Sequence, residues 1–308
     1  MQYIKGIEAY KENQRTAVTL GKFDGLHRGH QKLIAKVKAH AAHEDVKSVV
    51  FAFDMGPLFQ RIGKKQECIM TNEERRLRLE GEVDYLIECP FTEEICTMEA
   101  ERFISEILVD RLHVKYVTVG TDFHFGHEKR GDFRMLREYA GQYGYQVEVV
   151  EKARCNGREI SSTYVKEELK KGNIDTVNML LGYSYLIAGE VEHGRKLGRT
   201  IGFPTMNVIP PPQKLLPPNG VYVNEIMIEG ACYEGVCNIG VKPTVGTGFQ
   251  PSVETFLFGY EGDAYGKNIC IKVHDFEREE RKFSSVSLLK AQMTKDIEYA
   301  KAYFRSRQ

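Results

Sequence analysis

The 308-residue sequence predicts an α/β domain with a doubly wound parallel sheet, followed by an antiparallel β-barrel with a C-terminal helix. Three observations carry this expectation. Short apolar runs alternate with helical patterns over roughly the first half of the chain. Beyond Gly182 strand patterns follow one another, separated by Gly and Pro clusters. The last segment returns to a helical stripe.

In the first half, the apolar runs at 17–20, 48–53, 85–89, 116–120 and 146–150 read as strands. Segment 31–42 reads as a helix with Leu33, Ile34, Val37 and Ala41 on one side. Helices are also expected at 72–82, at 99–112 with Phe103, Ile104, Ile107 and Leu108 on one stripe, and at 133–143. Alternating β and α implies parallel strands covered by helices on both faces, with ligands beyond the carboxyl ends of the strands. Residues 162–181 read as one or two helices broken at Gly172-Asn173. Strands are then expected at 185–191, 221–228, 233–239, 253–258 and 268–274. The closing helix, 287–304, carries Leu288, Leu289, Met293 and Ile297. These readings set domains at 1–182 and 183–308. The Pro-rich stretch 210–218 reads as a stiff surface loop.

Composition narrows the function class. The chain is 42% hydrophobic and 28% charged, with 43 basic and 43 acidic residues. That balance argues against a protein that lives on nucleic acid or an anionic membrane, and leaves room for a local charged patch. No apolar segment approaches the ~18 residues of a membrane span. The first ten residues lack the apolar core of a signal peptide, so a cytoplasmic protein is expected. The seven cysteines, Cys68, Cys89, Cys96, Cys155, Cys232, Cys237 and Cys270, include no C-x-x-C pair, so reduced and mostly buried thiols are expected.

The sharpest N-terminal signal runs from Gly21 through Phe23, Asp24, Gly25, His27 and Gly29 to His30, between the first strand and the first helix. A glycine-rich strand-to-helix turn gathers backbone N–H groups at the positive end of a helix dipole, where phosphate binds. Two histidines three residues apart add donors aimed at the same group. Asp24 either caps the helix or helps hold magnesium. The segment Gly120-Thr121-Asp122-Phe123-His124-Phe125-Gly126 follows another strand. Phe123 and Phe125 face either a flat aromatic ligand or the core, and Asp122 would accept a ligand's N–H groups. At 160–166, Ser162 or Thr163 starts a helix as cap or as phosphate donor, and Lys166 adds an ammonium.

The second half carries Gly194, Lys196, Gly198, Arg199, Gly202, Phe203, Pro204, Thr205 and Asn207 in one run. Glycines at four-residue spacing let backbone approach phosphate closely. Thr205 and Asn207 offer a hydroxyl and an amide carbonyl as oxygen ligands for Mg²⁺. No Walker motif is present, so a kinase here is not of the P-loop type. Glu254, in an otherwise apolar strand, is either an outward-facing residue of the alternation or a general base at a pocket edge.

Together these motifs resemble the bacterial bifunctional riboflavin kinase/FAD synthetase family over essentially the whole chain. The matching patterns are G-x-F-D-G-x-H-x-G-H (Gly21 to His30), G-x-D-F-x-F-G (Gly120 to Gly126), I-S-S-T (Ile160 to Thr163) and the kinase run from Gly194 to Asn207. Further matches are Gly220 to Tyr222, Cys237 to Thr244, Glu254, Tyr265-Gly266 and the segment around Arg278. The resemblance implies a nucleotidyltransferase-like N-terminal domain (FMN adenylyltransferase, 1–182) and a riboflavin-kinase-like barrel (183–308). It implies ATP and Mg²⁺, with riboflavin, FMN and FAD as substrates and products. Riboflavin would be phosphorylated to FMN, and FMN adenylylated to FAD with release of pyrophosphate. By the same resemblance, His27 and His30 would stabilise charge at the α-phosphate and Glu254 would be the base for the ribityl hydroxyl. Thr205 and Asn207 would hold magnesium and ATP phosphates, and Arg278 would lie by the flavin.

Three positions depart from the family pattern. Asp54-Met55-Gly56-Pro57 stands where the family has x-P-H-P, Lys166 where it has Arg, and Met206 where it has the Ala of P-T-A-N. Lysine keeps the charge but loses the two-pronged phosphate contact of arginine. The first two departures open a second reading, a riboflavin kinase with a weak or inactive adenylyltransferase domain.

Overall fold

The structure is a computed structural model that describes residues 1–193, 198, 201–243 and 249–307. The chain divides into two compact units, Met1–Ser162 and Thr163–Gln308. Among the described residues no helix is long and apolar enough to cross a membrane.

The first unit is built on parallel strands β1 (Gln2–Lys5), β2 (Thr16–Gly21), β3 (Lys47–Asp54), β4 (Tyr85–Pro90), β5 (Val114–Gly120) and β8 (Gln146–Val150). The two-residue strands β6 (His124–Phe125) and β7 (Gly131–Asp132) form a hairpin, as do β9 (Arg154–Cys155) and β10 (Arg158–Glu159). The main sheet runs in the order β1-β4-β3-β2-β5-β8. From β2 the chain adds β3 and β4 on one side, then crosses to add β5 and β8 on the other. The order therefore reverses between β2 and β5, where an open α/β sheet leaves a crevice at its carboxyl ends. Gly21 ends β2 and Gly120 ends β5, so both glycine motifs open onto that switch point.

The inner strands β2, β3, β4 and β5 are buried on both faces, which explains their unbroken apolar runs. Val18, Val49, Val50, Phe51, Leu86, Ile87, Val117 and Val119 are wholly buried. Helix α1 (Arg28–His43) buries Leu33, Ile34 and Val37, with Ala41 packed beside them, as its periodicity predicts. Helices α2 (Gly56–Arg61), α3 (Asn72–Leu79) and α4 (Glu93–Thr97) follow. A turn of helix α5 (Ala100–Arg102) continues as a π-wound segment, Phe103–Arg111, and α6 spans Phe133–Tyr143. The π-segment buries Phe103, Ile104, Ile107 and Leu108, the stripe expected from sequence. Helix α3 starts with a reciprocal capping box between Thr71 and Glu74. It places Arg75 against Glu88 of β4 at 2.7 Å, a pair only 5% and 3% exposed, and Tyr3 of β1 donates to the same carboxylate.

In the second unit α7 (Ser162–Lys171) and α8 (Ile174–Leu181) are separated by Gly172 and Asn173, at the expected break. Asn178 of α8 donates to the carbonyls of Val273 and His274 and accepts the Tyr185 amide, which seats that helix on the barrel. The barrel strands are β11 (Tyr185–Glu192), β12 (Met206–Val208), β13 (Gly220–Ile228), β14 (Ala231–Pro243), β15 (Phe249–Leu257) and β16 (Asn268–Glu279). They close in the antiparallel order β11-β12-β15-β14-β13-β16. The C-terminal helix (Val286–Arg305) packs Ala300 against Val221, Val223 and Val236, on the outer face of the barrel.

Several expectations change. Strands β1 and β12 and helices α2 and α4 were not legible, because each is short. Leu288 does not join the buried stripe: it is 54% exposed, since only the helix beyond its first turns meets the barrel. The stretch 210–218 is not merely a surface loop. Lys214 and Leu215 are buried, and Tyr185 and Tyr222 donate their hydroxyls to the Leu215 and Pro218 carbonyls. All seven cysteines are free thiols, yet only Cys68, Cys89 and Cys237 are buried and Cys232 is exposed.

Candidate active sites

The switch point of the first unit holds a cavity of about 540 Å³. Gly21, His27, Gly29, His30, Gly120, Asp122 and Ser162 all line it. The turn that brings them there is tightly constrained. Phe23, Gly25 and Leu26 all have positive φ, at 47°, 90° and 39°. Such a backbone is costly for two non-glycine residues and persists only where its surroundings hold it. A Cβ on Gly25 would meet the Ile69 side chain at 3.0 Å. Phe23 is wholly buried, with its ring centroid 5.1 Å from that of His30. It braces the turn and does not line the cavity.

Asp24 corrects one expectation. It does not cap α1; its Oδ1 accepts the amides of Ile69 at 2.7 Å and Met70 at 3.2 Å. Its carbonyl accepts the Ser162 hydroxyl at 2.8 Å. The cap is His27, whose Nδ1 accepts the His30 amide. With Nδ1 accepting, the neutral ring of His27 carries its proton on Nε2. Burial pushes the His27 pKa down to about 4, against a smaller opposing effect of Asp24. His30 stacks on His27 with centroids 3.7 Å apart, and its Nδ1 is buried without a partner. Burial first, then His27 and Arg75, hold His30 well below the ordinary histidine range. Burial thus favours the neutral form of both rings.

The aromatic wall is larger than expected. Phe123 and Phe125 stack with centroids 5.7 Å apart; Phe125 belongs to the core and Phe123 packs against it, and both also line the cavity. Phe53, Met55, Leu58, Phe91 and Ile95 add an apolar surface beside them. Asp122 is bonded to Lys152 at 2.9 Å, and Lys152 also reaches Glu159. Lys152 lines the cavity and was not expected from sequence. Thr163 and Lys166 belong to the second unit, on α7.

The second site is read from strand register. Asn207 of β12 pairs with Glu254 of β15, Glu254 with Asn238 of β14, Asn238 with Val221 of β13, and Val221 with Arg278 of β16. Cross-strand partners share a face, so these five residues form one row on the barrel's outer side. The outer face is fixed by Val221, which packs with Ala300 of the C-terminal helix. Glu254 is thus an outward residue of the alternation, and it stands beside a buried amide, which suits a base. Asn238 donates to Glu280 at 3.0 Å. Arg278 makes a two-pronged contact with Asp296 of the C-terminal helix at 2.9 and 2.6 Å, so its guanidinium is anchored to that helix. Asp296 was not singled out from sequence; a lone carboxylate on an apolar stripe was the available signal. Burial, then the Asp296 charge, pushes the neighbouring Glu277 pKa up to about 8.

The loop before β12 explains the need for glycine. A Cβ at Gly198 would lie 2.2 Å from the Phe203 carbonyl oxygen, and the amides of Ile201 and Phe203 both donate to the Gly198 carbonyl. Gly202 has φ +89°. The Phe203 ring sits edge-on to Phe256 at 5.5 Å. Pro204 and Thr205 line a cavity of about 390 Å³ at this side of the barrel. Gly194, Lys196, Arg199 and Thr244 lie outside the described residues. Among the described residues no cluster of three or more His, Cys, Asp or Glu side chains is arranged to hold a metal.

The family model of FAD synthetase matches residues 9–164, and that of riboflavin kinase matches 181–304. A bifunctional riboflavin kinase/FMN adenylyltransferase of Escherichia coli K12 is 35% identical over 309 residues, covering 99% of this chain and 98% of its own. Those of Haemophilus influenzae and Pseudomonas fluorescens are 36% and 34% identical, again over nearly the full length of both chains.

The chain belongs to the bifunctional riboflavin kinase/FMN adenylyltransferase family.

A solved structure from Streptococcus pneumoniae, titled a macrolide-efflux protein, superposes with a TM-score of 0.84 at 28% identity, covering 97% of this chain and 98% of that one. The family's two-part architecture is therefore what the fold presents: a six-stranded parallel sheet, then a closed six-stranded barrel with a C-terminal helix.

Proposed function

We propose that this chain converts riboflavin to FMN with ATP in residues 183–308 and FMN to FAD with a second ATP in residues 1–182. The observation that carries the reading is the pairing of two chemically different phosphate-handling sites with the two family matches. A family match in each half supports two activities over a kinase alone.

In the barrel domain, Glu254 accepts the proton of the ribityl hydroxyl as that oxygen attacks the γ-phosphorus, and ADP leaves. The oxygen donors of Thr205 and Asn207 suit Mg²⁺, which takes few protein ligands and completes its shell with water and substrate phosphates. When bound, it would neutralise charge on the transferred group. Arg278, held by Asp296, presents a fixed cation beside this row.

In the N-terminal domain, an FMN phosphate oxygen attacks the α-phosphorus of ATP and pyrophosphate leaves. The turn from Gly21 to His30 holds the phosphates, and the His27 Nε2–H donates to the oxygens that gain charge. The apolar wall of Met55, Phe91, Phe123 and Phe125 suits a flat ring system. Neither reaction needs a covalent enzyme intermediate; both depend on positioning.

One incubation of riboflavin, Mg²⁺ and ATP tests the reading, with both flavin nucleotides followed by chromatography. FMN should rise first and FAD second. FMN without FAD, also when FMN is supplied, would remove the adenylyltransferase half.

A further inference from the structure

Strand β12 sets Met206 opposite Thr255 of β15. Asn207 and Glu254, the next pair along, belong to the outer row, so Met206 and Thr255 take the opposite face. Both line the 390 Å³ cavity, with Pro204, Thr205, Leu257, Tyr260 and Tyr265. Thr255 is 1% exposed and its Oγ1 has no hydrogen-bond partner. Its other cross-strand neighbour, Cys237, is wholly buried and offers only a thiol. A buried hydroxyl without a partner is a standing cost to the fold. Valine has nearly the same shape and would remove it. That hydroxyl sits at the wall of a cavity that also holds Thr205. Met206 faces it with a long, adaptable apolar side chain.

We infer that the Met206–Thr255 pair is the base-recognition element of the kinase nucleotide site, with the Thr255 hydroxyl bonding the base edge and the Met206 thioether closing on its face. The inference rests on the reading that Thr205 and Asn207 hold the phosphate end of ATP, which puts the rest of the nucleotide beside Thr205. The pair acts in binding and takes no part in phosphoryl transfer, so its loss raises KM for ATP and spares kcat.

The test measures FMN formation against ATP and against GTP for the full chain and for Thr255→Val, Thr255→Ser and Met206→Ala. FAD formation from supplied FMN serves as the internal control. Thr255→Val should raise KM for ATP about tenfold with kcat changed less than threefold. Thr255→Ser, which keeps the hydroxyl, should stay near the parent. Met206→Ala should lower the preference for ATP over GTP at least tenfold by widening the cavity. Without nucleotide, Thr255→Val should melt at the same or a higher temperature. Unchanged KM and preference in a parent that makes FMN, or a lower melting temperature for Thr255→Val, overturns the pair alone. A parent that makes no FMN overturns the underlying reading and the pair with it.

Discussion

His27 and His30 stack with centroids 3.7 Å and planes 16° apart, while Nδ1 of His27 accepts the His30 amide. One ring thus caps the start of helix α1 and stacks on the other, and burial favours the neutral form of both.

A pH dependence follows with a definite sign. The pKa of His27 falls from an ordinary 6.5 to about 4 on folding. Between those values the unfolded chain binds the extra proton, so stability is full above pH 6.5 and is lost as pH falls toward 4. His27 alone accounts for on the order of 3 kcal/mol of that loss. Urea denaturation at stepped pH should reveal the slope, and His27→Asn should flatten it. An unchanged slope in the variant would place the protonation elsewhere.

The two reactions should separate by mutation. His30→Ala should cut FAD formation from FMN by about 10²–10³-fold and leave FMN formation nearly unchanged. Glu254→Gln should do the reverse. Steady-state rates of each half-reaction decide this; a folded variant that loses both would mean the sites are misassigned.

Gly198→Ala forces a Cβ to within 2.2 Å of the Phe203 carbonyl. Backbone must move beside Thr205, at a cost of about 1–3 kcal/mol. We expect at least a tenfold loss of FMN formation with FAD formation from supplied FMN intact.

Asp296 is 4% exposed and holds the 18% exposed Arg278. Asp296→Ala should destabilise the barrel by about 3–5 kcal/mol, since it leaves a poorly solvated guanidinium uncompensated. The shift of the denaturation midpoint measures it, and a change below 1 kcal/mol would show that water replaces the carboxylate.

Glu277 adds an opposite pH trend. Burial and the Asp296 charge raise its pKa to about 8 in the fold. The native state then holds a proton that the unfolded chain has lost, so this contribution is full below pH 4.5 and fades as pH rises through 8. Glu277→Gln should therefore melt higher than the parent at pH 9, with little difference at pH 5. Calorimetry at the two pH values checks the crossover.

What sequence made legible was local. The strand, glycine turn and helix from 17 to 42 are contiguous, and their periodicity survives intact in Leu33, Ile34 and Val37. Helix α1 could be foreseen; its cap could not, since aspartate is the ordinary capping residue and Asp24 is drawn instead to the Ile69 and Met70 amides. β1 escaped notice because only Ile4 is buried in it, and β12 because three residues after a proline show no alternation. Arg75 with Glu88, and Arg278 with Asp296, are partners chosen by three-dimensional packing. No pattern along the chain announces them. The row from Asn207 to Arg278 lay in the motifs but became a surface only once register was known.

The Asp24 tether has a consequence for the order of events during synthesis. The Ser162 hydroxyl that closes on its carbonyl is made 138 residues later, and the Ile69 amide 45 residues later. A nascent chain that has delivered β2 and α1 still lacks both latches of its phosphate turn. The strained turn at Phe23 and Leu26 gains its first latch when Ile69 is made and its second only with Ser162, the last residue of the first unit. Truncation just before Ser162 should therefore leave the sheet with a turn held by the Ile69 and Met70 amides alone.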